Sequence, residues 1–328
     1  MAEKLKNPSK IGGQAVLEGI MMRCEDRYSV AVRKPDKTIA LDVHENYTGI
    51  GKGKKFTKLP FIRGVFSFID SMVLGIKTLS YSASFYDEEA GEDASETNEP
   101  DGFFEKIFGE KAEDVVMSLT VFVSILISIG LFMILPYFIA DFLFRQKLGL
   151  IGGRVVSVVE AFVKLGLFLF YLWFVSLLQD IKRTYMYHGA EHKCINCIES
   201  GKVLSVENVR ESSRFHKRCG TSFMFLVMII SIAFFVCIHS DNVVIQYLLR
   251  IALMPVIAGV SYEFIRLAGN SDSLFVRIIS APGKLLQHLT TREPDDSMIE
   301  VAIQAVEAVY DWREYLRENG VKLEDEEV

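Results

Sequence analysis

Four apolar runs between residues 115 and 268 limit what this chain can fold into. They extend from about Val115 to Phe138, Val155 to Leu178, Thr221 to Ile238 and Val243 to Leu267. Each approximates the ~20 residues a helix needs to cross the hydrocarbon core of a bilayer. The first is expected to close at Pro136 and the charges beyond it. Residues 239–242 are too few for anything but a tight connection, so the last two runs form a hairpin. The first 55 and last 60 residues are mostly polar. Mean hydropathy is +0.25, but its distribution matters more than its value. It excludes a single soluble globule and predicts an α-helical integral membrane protein with about four transmembrane helices and a small α+β cytosolic head.

The shorter apolar stretch from Gly12 to Met22 carries Glu18 and is neither a signal-peptide core nor a span. Five cysteines is an odd number. Without a secretory signal they read as free or metal-bound thiols in a reducing compartment. A net charge of −6 argues against nucleic acid as a partner.

The ends of the chain carry local signals. Residues 1–55 form a β-containing segment: Tyr28–Arg33 and Thr38–Val43 alternate around the turn residues Pro35-Asp36-Lys37, predicting a hairpin. Over residues 56–86, Arg63, Asp70 and Lys77 recur every seven residues. That places them on one helical stripe among apolar neighbours. Three charges in one span are costly, so an interfacial or re-entrant helix is expected, with a helix packed on the cytosolic head as the alternative. Residues 87–101 hold eight acids and no base, and 87–114 read as a disordered acidic linker. The membrane domain, 115–268, is expected to carry a cytosolic loop over 179–220. In the closing segment, 269–328, Asp295 and Asp296 supply cap and first-turn acids to a cytosolic helix whose apolar face is Met298, Ala302, Ala305, Val306 and Val309. An acidic tail follows. The 179–220 segment holds eight Lys and Arg, residues 139–154 three and 239–242 none. The bias puts both termini and the 179–220 segment in the cytosol.

The chemistry concentrates in Tyr187-His-Gly-Ala-Glu-His-Lys-Cys-Ile-Asn-Cys197. On a helix His188 and His192 leave one face a turn apart, a spacing that suits two ligands of one Zn²⁺-type ion. Glu191 stands beside that face as a candidate general base, and His-x-x-Glu-His is the inverzincin order. The alternative is a polar helix end whose histidines bond loop backbone, and Gly189 costs such a helix about 1 kcal/mol. A second pattern overlaps it: Cys194-x-x-Cys197 and His216-x-x-Cys219 have the spacing of a structural zinc knuckle. His216 or Cys219 could instead complete the His188/His192 set and leave a coordination position open. Cys237 sits in a span as a core residue. Intramembrane charges are a third signal: Glu160 with Lys164, Arg250, and Glu263 with Arg266. They read as functional or as paired structural charge, and Arg266 as snorkelling.

Six motifs in order resemble the bacterial YqhQ family of multi-span membrane proteins: Ile11–Arg23, Tyr187–Lys193, Val206–Arg210, His216–Ser222, Val260–Phe264 and Leu289–Asp296. The resemblance covers nearly the whole chain except the acidic linker. It implies a multi-pass protein of the bacterial cell membrane, of unknown function, with a label of metal-dependent enzyme. His188, Glu191, His192, His216 and Cys219 match its motifs. Its pattern often has Pro where Lys217 stands and does not require cysteine at both 194 and 197. It also brings Gln14, Glu18, Arg23 and the 292–296 segment toward the same cytosolic head.

The leading expectation is an integral membrane enzyme, metal-dependent and hydrolase-like. Glu191 is its base, and its ligands to a divalent metal, Zn²⁺ by chemistry, are drawn from His188, His192, His216 and Cys219. The alternative is a non-catalytic membrane scaffold or assembly factor with a structural metal. A carrier using Glu160, Lys164, Arg250 and Glu263 ranks third. The expected partners are the lipid bilayer, a further copy of the chain or another membrane protein. There is no Gly-rich phosphate loop, dinucleotide fingerprint or Ser-nucleophile elbow.

Overall fold

The computed structural model describes residues 5, 8–50, 57, 59–93, 112–148, 152–237, 242–270 and 273–323. The central part of the acidic linker, 94–111, and the acidic tail lie outside them. The chain divides into two compact units. One comprises residues 1–87, 173–231 and 252–328, the other 88–172 and 232–251.

The first unit opens with four antiparallel strands in sequence order: β1 Ile11–Val16, β2 Gly19–Cys24, β3 Arg27–Arg33 and β4 Ile39–His44. The predicted hairpin is β3–β4, and Asp36 caps its turn by accepting from the Thr38 N–H at 2.8 Å. β1 and β2 extend it. Leu17-Glu18 and Glu25-Asp26 make the tight connections, with Glu18 and Glu25 at φ 47° and 53°. β2 shows no alternation because both faces of the sheet are covered. Ile20 and Met22 join the core around Tyr187 and Met298, while Met21, Tyr28 and Val30 pack on Leu74.

Leu74 belongs to helix α1, Ile62–Asp93. The heptad stripe read from the sequence forms the helix's polar seam. Arg63 pairs with Glu263, Asp70 takes Arg23 at 2.7 Å and the Tyr47 hydroxyl at 2.8 Å, and Lys77 donates to Tyr28 Oη. Ile69, Met72, Val73 and Ile76 are exposed on the other side. The helix continues through Asp93, so it takes in the first acids of the run expected to be a linker. Glu88, Glu89, Ala90 and Glu92 are good helix formers, which explains the extension.

Among the described residues, four helical stretches are long and apolar enough to cross a membrane: Phe122–Leu143, Val156–Val175, Gly220–Cys237 and Val244–Leu267. The first is compound. α2, Ala112–Ile129, passes through a π-helical turn, Gly130–Ile134, into α3, Leu135–Leu148. Pro136 therefore does not end this helix, contrary to expectation. The wide turn just before it makes room for a ring that cannot donate to the preceding turn. The others are α4 Gly152–Val175, α7 Gly220–Cys237 and α8 Val243–Asn270. In the second unit Arg250 of α8 forms a bidentate ion pair with Glu160 of α4, both buried. Arg250 and Lys164 both lie over the Phe235 ring, at 5.1 and 5.3 Å.

The 179–220 segment, expected as a loop, is mostly helical: α5 Gln179–Glu199 and α6 Val206–Glu211. From Tyr187 to Glu199 nearly every α5 residue is buried. A helix buried all round shows no amphipathic stripe, and this one had no periodic signature to read. α9, Leu274–Thr290, and α10, Asp296–Glu307, complete its surroundings, followed by α11, Trp312–Glu318. Asp295 caps α10 through the Met298 N–H at 3.0 Å. The expected face of Met298, Ala302, Ala305 and Val306 fills the core between sheet and α5.

Candidate functional site

A buried helix with polar residues must satisfy each of them. α5 does so by gripping the backbone of 210–216. Lys193 Nζ donates to the carbonyls of Arg210 and Ser212 at 2.8 and 2.9 Å and meets Glu293 at 2.9 Å. Asn196 donates to those of Ser213 and Phe215. His192 Nδ1 lies 2.6 Å from the Arg214 carbonyl, so this nitrogen carries the proton. Glu199 takes Ser9 and Arg218, and its second oxygen lies 3.6 Å from His216 Nε2. From α9, Gln287 pairs with the His216 backbone in both directions, at 2.9 and 2.7 Å.

One turn earlier, His188 Nδ1 stands 2.9 Å from the Thr290 carbonyl. Both imidazoles are thus tied through Nδ1 to a backbone oxygen, which makes Nε2 the ligating atom of each ring when a metal displaces the proton there. His188 Nε2 lies 3.3 Å from Cys219 Sγ, and Thr221 Oγ1 lies 3.0 Å from the same sulfur. One donor atom from each of His188, His192 and Cys219 falls within 4.8 Å of the others. That donor set, two imidazole nitrogens and a cysteine sulfur, fits a Zn²⁺-type ion with a position left open. Glu191 is buried, with Oε2 3.5 Å from His192 Nε2. The absence of a side chain at Gly13 of β1 makes room for it: a Cβ there would stand 2.8 Å from Glu191 Cγ.

Burial disfavours charge on His188 and on Cys219, yet each overcomes it through the other. Cys219 raises His188 to about 9, helped by Glu191 and the Thr290 carbonyl. His188, then His192, holds the Cys219 thiol well below its ordinary value. Cys219 is also the residue before α7, where the helix N-terminus favours an anion. His216 behaves oppositely: burial lowers it despite Glu199.

The structure therefore brings together His188, Glu191, His192 and Cys219. His216 lies beside them, its ring 5.7 Å from that of His192, but its Nε2 faces Glu199. Cys194 and Cys197 are in the apolar core, and Cys197 Sγ donates to the Val203 carbonyl. They do not join the cluster. The Thr290 and Arg214 carbonyls escaped sequence reasoning because backbone atoms leave no signature. Lys193, Asn196 and Glu199 left one, as polar residues on a helix that becomes apolar.

A family described as "Protein of unknown function (DUF1385)" matches residues 59–312. The uncharacterized protein YqhQ of Bacillus subtilis (strain 168) is 35% identical over 311 residues, 92% of each chain. The chain belongs to the YqhQ family. No solved structure matches it. The family match takes in the whole cluster and α1 through α10, whereas the sheet lies before it.

Proposed function

We propose that this chain is a membrane-embedded, metal-dependent enzyme of hydrolase type. In this reading His188, His192 and Cys219 are the ligands, and Glu191 accepts and returns a proton beside them. The observation that carries it is the pair of Nδ1 contacts to the Thr290 and Arg214 carbonyls, which fix both rings through the far nitrogen while a donor atom of each lies within 4.8 Å of Cys219 Sγ. A catalytic dyad needs one oriented histidine, whereas a metal site needs each ligand oriented. A divalent ion held there supplies Lewis acidity. His216 helps position the 214–219 segment. The four apolar helices are taken to span the bacterial cell membrane, with both termini and the cluster cytoplasmic, on the strength of the basic 179–220 segment.

Metal analysis of the full chain in detergent tests this. Roughly one zinc-type ion per chain is expected, lost in His188→Ala and in Cys219→Ala and kept in Cys194→Ser/Cys197→Ser. A metal-free wild type, or metal kept by His188→Ala, refutes it. Metal kept together with full function in Glu191→Gln favours the scaffold alternative.

A second reading rests on Cys219 itself. A thiolate at a helix N-terminus, 3.3 Å from an oriented imidazole, is also a nucleophile–base pair. It is favoured if the metal-free protein shows Cys219 alkylated at neutral pH and active without added metal.

A further inference from the structure

α1 has two unlike sides. Between Ile62 and Ser80 its charged residues are Arg63, Asp70 and Lys77, and each is engaged by a partner within the protein. The other side carries Ile62, Ile69, Met72, Val73, Ile76 and Leu79, which fall within about 120° of one another at ~100° per residue. All six are exposed, Met72 at 51% and Ile76 at 63%. No charged residue of this stretch falls inside that arc, which runs for about 26 Å of helix. The first turns of α1 pack on two helices apolar enough to cross a membrane. A Cβ at Gly64 would stand 2.6 Å from Tyr262 Cβ of α8, and one at Gly259 of α8 would stand 2.5 Å from the Phe61 carbonyl oxygen. The Phe61 N–H donates to Glu263 at 3.1 Å, the carboxylate that also takes Arg63. Phe68, exposed at the edge of the stripe, meets Phe223 of α7 with ring centroids 5.7 Å apart. Phe223 belongs to the first turn of α7, and residues 259–263 to the closing part of the apolar run of α8. The later turns of α1 cover the sheet instead: Leu74 packs on Met21, Tyr28 and Val30, and Ser82 Oγ accepts from the Leu17 N–H at 3.1 Å.

We infer that α1 lies in the plane of the bilayer, with its stripe in the acyl chains of the leaflet where α7 begins and α8 ends, and with the sheet seated on its other side. The occupant follows from continuity. The stripe starts beside α7 and α8, whose own outer surfaces are apolar and exposed at Met224 and Val256. A charge-free face contiguous with them suits hydrocarbon, whereas water favours charged residues on a helix surface and a protein partner favours a polar rim. Seam and stripe make α1 an interfacial helix and a part of the head at once. The inference rests on the reading that α7 and α8 span the membrane, and it uses none of the proposed metal ligands.

Photocrosslinking in intact cells tests it, with benzoylphenylalanine placed singly in the full chain at Met72, Ile76, Val256 or Glu314. The first three are exposed apolar positions of α1 and α8, and Glu314 is an exposed position of α11, so the probe leaves the core unchanged. Mass spectrometry of the purified chain is expected to find phospholipid adducts at Met72, Ile76 and Val256, at roughly five times the yield at Glu314 or more. If Val256 is labelled by lipid and either stripe position is not, the inference fails and the spanning reading stands. Crosslinked dimers at Met72 and Ile76 in place of lipid adducts overturn it in favour of a second copy of the chain. A yield at Glu314 equal to that at Ile76 also overturns it. Lipid adducts at none of the positions overturn the spanning reading and the inference with it.

Discussion

The carbonyl oxygen of Arg292 occupies the space a side chain at Gly189 would fill, 2.0 Å from an ideal Cβ. The Arg292 N–H donates to the Tyr185 carbonyl at 2.9 Å, so residues 291–295 run across α5 at its glycine. The glycine inside His-Gly-Ala-Glu-His is the port through which the segment after α9 docks. Alanine in a helix interior ordinarily stabilises relative to glycine by about 1 kcal/mol. At Gly189 the sign reverses: Gly189→Ala is expected to destabilise by about 2 kcal/mol or more. Thermal unfolding of the full chain in detergent checks it, and a raised Tm contradicts the docking.

Asp70 fastens α1 to the sheet. Burial pushes its carboxyl up, but Arg23, the Tyr47 hydroxyl and the Ile50 N–H outweigh burial and hold it below the usual range. A folded-state value below the unfolded one, ~3.9, gives stability that is complete above that pH and lost as pH falls through the folded value. Asp70→Asn is expected to cost about 3 kcal/mol at pH 7, where Arg23 loses its partner. The difference from wild type should shrink below about pH 4. A difference that stays constant down to pH 3 tells against the ion pair.

Much of this was legible in the sequence, and the exceptions share a cause. The apolar runs, the β3–β4 hairpin, the α1 stripe and the α10 cap each have a one-sided environment, and one-sidedness writes a period into the sequence. β2 and the second half of α5 are enclosed on all sides, so Ile20-Met-Met22 and Cys194-Ile-Asn-Cys197 carry no period at all. At the cluster, His188, Glu191 and His192 were visible from spacing. The choice between His216 and Cys219 was not, because it depends on Gln287 and Glu199 holding His216 away.

Glu160 and Arg250 are each other's buried partner across α4 and α8. Arg250→Met alone strands a carboxylate and is expected to cost about 3–5 kcal/mol. Combining it with Glu160→Leu should restore most of the yield and Tm of the detergent-purified protein. A double variant no better than the single points to a role beyond mutual neutralisation, such as an ion path.

The proposed orientation predicts that a single cysteine placed at Asn242 reacts with a membrane-impermeant maleimide on intact cells. One placed at Ser200, which ends α5, does not. The reverse pattern moves the cluster to the outer face.

Glu191→Gln keeps the shape that Gly13 accommodates and removes the proton acceptor. It should retain metal and the wild-type Tm while failing to complement a deletion strain.

His188 is set by a carbonyl 102 residues downstream, on a segment translated after all four apolar helices. Ribosomes deliver the His-x-x-Glu-His motif early and its orienting oxygen late. A nascent or truncated chain ending before Thr290 carries every proposed ligand and the entire apolar region, and still leaves the His188 ring unaimed. The segment after the last apolar helix therefore acts as a checkpoint in time: the proposed set of thiol and imidazoles is oriented only once α9 has been made.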